Sequence, residues 1–159
     1  MPINVDLLKK DNIKFSFFEN DKCIEKNGTS VIGEGDFVYA LGFPMGLVGE
    51  KRNMVIVRSG SIARMDKNSK TFLIDAFIFP GNSGGPVILK PELLAIQGTQ
   101  PSNTAYLLGV IKSFISYQDT AISRQTNEVR VIFSENSGLA EVIPIIFVDK
   151  AIQEFLQTI

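Results

Sequence analysis

From position 33 to 144, turn signals recur so often that the apolar segments between them are short, and they are rich in β-branched and aromatic residues. Such segments fit a pleated, half-buried surface and not a helix face. Strands are expected at 37–41, 54–64, 71–79, 87–89, 106–115, 129–133 and 140–143, with Gly60 as a bulge or bend in the second and Asn136-Ser137-Gly138 separating the last two. Ahead of them, 14–18 reads as a strand, and 23–26 and 29–32 flank Asn27-Gly28, the strongest short hairpin signal. Only the end is helical in pattern: Val148, Ile152, Phe155 and Ile159 recur at helical spacing. Many short strands and one terminal helix predict an all-β, mainly antiparallel barrel or sandwich.

Composition bounds the function. The 159 residues suffice for one domain, with 45% hydrophobic and 21% charged residues. Sixteen basic and 17 acidic residues leave no basic surplus, so nucleic acid is not an expected partner. No stretch approaches the roughly 20 apolar residues that span a bilayer, so no membrane partner is expected. The start, MPINVDLLKK, has no apolar signal-peptide core ahead of its charges. One cysteine, Cys23, excludes an intrachain disulfide, and the absence of histidine makes a zinc or copper site unexpected. No cofactor is implied.

The segment PGNSGGP, 80–86, carries the chemistry. Its glycines reach conformations closed to other residues, and Pro80 and Pro86 stiffen its two ends. A serine in such a loop can stand exposed, with the amides of Gly81 and Ser83 near it, as an oxyanion hole requires. A tight turn with an idle serine is the plain alternative. The letters also satisfy G-x-S-x-G, but that elbow joins a strand to a helix, and here 86–89 reads as a strand.

PGNSGGPV resembles the nucleophile loop of the chymotrypsin-like serine peptidases, in the form of the HtrA/Deg and related bacterial trypsin-like proteases. GDFVYALGFPMGL (35–47) is similar to the segment that opens their second barrel, and VRSGSIARM (57–65) to the strand after it. FLIDAFIFPGNSGGPV keeps an aspartate, Asp75, eight residues before the serine. LLGVIKS (107–113) and SGLAEVIPI (137–145) resemble the later strands and the approach to the terminal helix. The likeness spans about 33–159; residues 1–32 carry little of it.

The resemblance implies a six-stranded Greek-key β-barrel over 33–144, a C-terminal helix over 145–158, and a variable leading segment over 1–32. It implies a serine endopeptidase with Ser83 as nucleophile and an oxyanion hole at Gly81, Asn82 and Ser83. Asn82 stands where the digestive enzymes carry the aspartate of zymogen activation, so that switch is not expected. A polypeptide substrate would lie as an added strand beside Lys112, Ser113 and Phe114. Phe77 and Phe79 would line the pocket for the residue before the cleaved bond, or else pack in the core. Phe77 occupies the place of trypsin's aspartate, so a small apolar side chain is expected there and not Arg or Lys.

The family's His and Asp belong to an N-terminal barrel, and this chain has no histidine. The expectation is therefore the C-terminal half of a protease, cut just past the aspartate, inert alone and self-associating through the exposed inter-barrel face. A Ser–Lys dyad through Lys90 or Lys112 is the remaining route to a base. The alternative is a non-catalytic peptide-binding module.

Overall fold

The computed structural model describes residues 4–14, 16–19, 23, 32–47, 54–66, 68–91 and 104–158. Six strands carry the fold: β1 (Phe37–Gly42), β2 (Ile56–Arg64), β3 (Phe72–Asp75), β4 (Pro86–Leu89), β5 (Leu107–Ile122) and β6 (Val129–Pro144). All pair antiparallel and close into a barrel in the order β1-β2-β3-β6-β5-β4. The return of β4 to lie beside β1 is the Greek-key order. Helices α1 (Val5–Lys10) and α2 (Ile145–Leu156) flank the barrel in sequence.

Alternation builds the interior. Val38 and Ala40 of β1, Phe72 and Ile74 of β3, Val87 and Leu89 of β4, and Ala140 and Val142 of β6 all point inward and are buried. Ile62, Leu108 and Ile111 fill the rest. Each fully buried Val, Leu or Ile adds about 1.5–3 kcal/mol over its exposed state. Ala40, Ala76 and Ala140 are small enough for a narrow barrel to close around them.

Several expectations shift. The strand expected at 71–79 pairs only as far as Asp75. Its alternation nevertheless persists, because Ala76 and Ile78 stay buried while Phe77 points out. Gly60 is not a bulge: it pairs regularly with Val38, and the register shift falls between Ile62 and Arg64. A side chain at Gly60 would strike the Asp75 carbonyl, so glycine serves close approach there. Asn136-Ser137-Gly138 does not separate two strands but kinks one, β6. Gly138 has φ +83°, its N–H donates to Asn136 Oδ1 at 2.9 Å, and Ser137 Oγ donates to the Ile115 carbonyl at 2.7 Å.

The described part of 14–18 forms no strand, and Phe17 is 72% exposed. Cys23 makes one parallel bridge with Leu107; 24–31, including the Asn27-Gly28 turn, lies outside the described residues. Helix α1 is capped by Asn4, whose Oδ1 accepts from the Asp6 and Leu7 amides at 3.1 and 3.2 Å. Helix α2 begins at Ile145, one turn before the apolar periodicity, and packs on β5 and β6. No helix among the described residues is long and apolar enough to cross a membrane.

Candidate functional site

The loop between β3 and β4 is held from two sides. At its start, a 3₁₀ turn at Pro44–Gly46 offers the Met45 N–H to the Pro80 carbonyl at 2.7 Å, and the Phe43 N–H reaches the Gly81 carbonyl at 3.3 Å. Met45 adopts φ +57°, a left-handed conformation that a long side chain rarely takes, and this aims its amide at the loop. At its end, the Gly84 N–H donates to the Ile111 carbonyl at 2.8 Å, and the Ile111 N–H returns to the Gly85 carbonyl at 2.9 Å. The loop is thereby stitched to β5 one residue past Ser83.

Asn82 is the internal brace. It is fully buried, and its Oδ1 accepts the Phe79 N–H at 3.3 Å. Its own N–H donates to the Phe79 carbonyl at 3.0 Å, and its carbonyl accepts from Gly85 at 2.9 Å. The amide of Asn82 is therefore engaged inside the loop and supplies no oxyanion donor, which corrects its place in the expected hole. Its Nδ2 is buried without a hydrogen-bond partner and lies against Gly42, where a Cβ would come within 2.6 Å of it.

What remains open is the centre. Ser83 is exposed, and among the described residues neither its hydroxyl nor its N–H has a partner; the Gly81 N–H has none either. Gly81 holds φ +98°, and a side chain there would strike the Phe43 carbonyl. These two free amides, the serine's own and that of Gly81 two residues before it, lie on a backbone fixed at both ends.

The expected substrate residues divide into two groups. Phe77 is 57% exposed and stands by Gly138, where a Cβ would lie 3.6 Å from its ring and 3.9 Å from Asp75 Oδ1. Phe79 is half-buried under the Arg58 guanidinium, 5.0 Å from its ring centroid, and the Arg58 Nε is buried without a partner. Phe77 is thus available at the surface, whereas Phe79 packs.

Lys112, Ser113 and Phe114 follow Ile111 directly on β5. Beyond Ile111, β5 pairs with β6 alone among the described residues, so its side nearest the loop is unpaired. Lys112 Nζ binds Glu141 Oε2 at 2.8 Å, and Ser113 Oγ donates to the same oxygen at 3.1 Å. Consecutive residues reach one carboxylate because the register shifts between Ile111 and Ser113. The Lys112 hydrogen bond, helped by the Ser113 and Thr71 hydroxyls, holds Glu141 below the usual carboxylate range against a counter-push from partial burial. Lys112 is engaged with this carboxylate, and Lys90 Nζ lies over the Phe37 ring at 5.2 Å.

Sequence reasoning missed Gly42, Arg58, Glu141 and Asn136, whose Nδ2 donates to the Ile78 carbonyl, as parts of this region. The signal for Gly42 was a glycine closing a strand one turn before the loop's anchor; the other three carry none. No family model matches the sequence, and no curated protein matches it.

Proposed function

We propose that the chain is the serine-bearing half of a trypsin-like endopeptidase, with Ser83 as nucleophile and the Gly81 and Ser83 amides as oxyanion donors. The observation that carries this reading is an exposed serine whose own amide and that of Gly81 are unpartnered among the described residues, on a loop fixed at both ends. Ser83 Oγ would attack a peptide carbonyl, its proton passing to a base, and the two amides would hold the developing oxyanion. The chain contains no histidine, Lys112 is engaged with Glu141 and Lys90 lies over the Phe37 ring, so the base is expected from outside these 159 residues. The expected source is a second barrel carrying His and Asp. Phe43, Met45 and Leu47, with Met54 and Val55 just before β2 and Val57 within it, are exposed apolar residues near the loop's anchor that fit such a barrel. The same surface would drive self-association of the isolated chain.

Substrate would add a strand along the unpaired side of β5 at 112–114. Phe77 beside Gly138 then favours a small apolar side chain before the cleaved bond. The missing base and this unpaired strand also favour a second reading, a peptide-binding module without chemistry.

A fluorophosphonate probe separates the two. Ser83 in the chain alone should label barely above a Ser83→Ala control. Concentrated imidazole, or a histidine-bearing barrel added in trans, should raise labelling at Ser83 selectively over Ser113 and Ser137. Equal labelling of all three serines under every condition sinks the peptidase reading. Peptide binding that survives Ser83→Ala without any labelling selects the binding module.

A further inference from the structure

Beyond the kink at 136–138, β5 and β6 leave the barrel as a two-stranded arm. It runs from the Ser116–Asn136 pair to the Ile122–Val129 pair and closes in a turn where Ser123 N–H reaches the Glu128 carbonyl at 2.9 Å. None of its residues enters the core. Tyr117, Ile122, Val129, Val131, Ile132 and Phe133 are each about half exposed or more, between 48 and 60%. A lone two-stranded ribbon is marginal in water; a third or fourth strand makes it stable.

The two edges of the arm differ. The arm segment of β5 carries Asp119 at its middle, between Gln118 and Thr120, and a mid-strand charge is how exposed edges are protected against pairing. The arm segment of β6 reads Val129-Arg130-Val131-Ile132-Phe133-Ser134-Glu135, with no charge or proline in its central three residues. Its outer side is unpaired among the described residues, because β3 meets β6 only at 139–142.

We propose that this β6 edge pairs antiparallel with the same edge of a second copy of the chain, about a two-fold axis at Ile132. Antiparallel pairing sets opposed side chains on one face. Val131 then opposes Phe133, a β-branched–aromatic pair of the kind that stabilises sheets, and Ile132 meets its own copy. The charges choose the orientation. Antiparallel pairing places the Arg130 end of each strand beside the Glu135 end of the other, whereas parallel pairing would align Arg130 with Arg130 and Glu135 with Glu135. Arg130 is also the extra residue of a register shift, opposed by no residue of β5, so it is free to lean toward a neighbour. The result is an isologous four-stranded sheet, β5-β6-β6-β5. A bilayer is disfavoured as the occupant, because the tip from Ser123 to Glu128 is polar throughout.

The test uses the full chain in sedimentation equilibrium with a cysteine scan. Wild type should associate reversibly with concentration, and Ile132→Arg, which opposes two like charges at the axis, should remove one step of that association, leaving only the step through the apolar surface beside the loop, while the circular dichroism spectrum stays unchanged. In a Cys23→Ser background, Ile132→Cys should form an oxidised dimer, whereas Tyr117→Cys on β5 should not. A monomer at all concentrations overturns the proposal. So does a dimer that persists in Ile132→Arg with no Ile132→Cys crosslink, which would point to the apolar surface beside the loop. Flotation with phosphatidylglycerol vesicles, lost in Ile132→Arg, would overturn it in favour of a membrane.

Discussion

Two glycines of the serine loop do different work, which substitution separates. Gly84 has φ +80° with open space around a would-be Cβ, so Gly84→Ala meets only left-handed backbone strain, about 1–2 kcal/mol. Gly81 has φ +98° and the Phe43 carbonyl in the way, so Gly81→Ala combines strain with a clash against backbone that cannot yield. We expect a loss of about 2–4 kcal/mol for Gly81→Ala, read by urea unfolding, and a clear gap between the two variants. Equal losses would mean the anchoring turn at Pro44–Gly46 moves freely. Asn82 gives a second residue-scale prediction. Asn82→Asp places a carboxyl in a fully buried position with a single donor, the Phe79 N–H. Burial disfavours the charged form and raises the folded-state pKa above the unfolded value of about 3.9. Its stability is therefore present below about pH 4 and lost as pH rises, reaching a deficit of about 3 kcal/mol or more at neutral pH. Thermal melts at acid and neutral pH check the sign.

At the scale of elements, Glu141 of β6 ties Lys112 and Ser113 of β5 to Thr71, whose Oγ1 lies 3.4 Å from its Oε1. Its pKa is lowered on folding, chiefly by Lys112. The stability this adds is present above the ordinary carboxylate range and is lost as pH falls through it, opposite in sign to Asn82→Asp. The pair is half exposed at Lys112, so the contribution is about 0.5–1 kcal/mol. Glu141→Gln should remove that amount at pH 7 and nothing at pH 3, by urea unfolding at both values. None of this network was visible in the sequence, because residues 71, 112, 113 and 141 meet only through sheet register. The strands themselves were legible wherever β-branched and aromatic residues alternate between turn signals, as in 37–41 and 87–89. Only half of the arm was: 129–133 reads as a strand, but Gln118, Asp119 and Thr120 carry no strand pattern, and only pairing with Ser134, Phe133 and Ile132 makes them strand. Asn136-Ser137-Gly138 was misleading for the reverse reason. Turn residues can satisfy a kink inside one strand as well as a reversal between two. In the loop, the letters PGNSGGP made an exposed serine readable, but not that the Asn82 amide is engaged internally.

At the scale of the molecule, the residues of the hydrophobic core all lie between 38 and 142 on the barrel strands and the 76–78 segment, while the arm and α2 contribute none among the described residues. Stability should therefore be partitioned. Ile74→Ala, at a fully buried position, should lose about 2–5 kcal/mol. Replacing 117–135 with a short turn should leave the barrel's cooperative transition within about 1 kcal/mol of wild type, since what it removes is exposed and pairs only with itself. Native-state amide exchange resolves the same division without mutation. The β1, β3 and β4 amides should exchange only through global unfolding, whereas the amides of 117–122 and 129–135 should exchange through local opening at a lower free energy. In dilute protein the outer and inner amides of β6 should both exchange readily. On concentration, the alternate β6 amides that face away from β5 should slow while barrel amides do not change, because only a strand added to that edge protects those groups and no others.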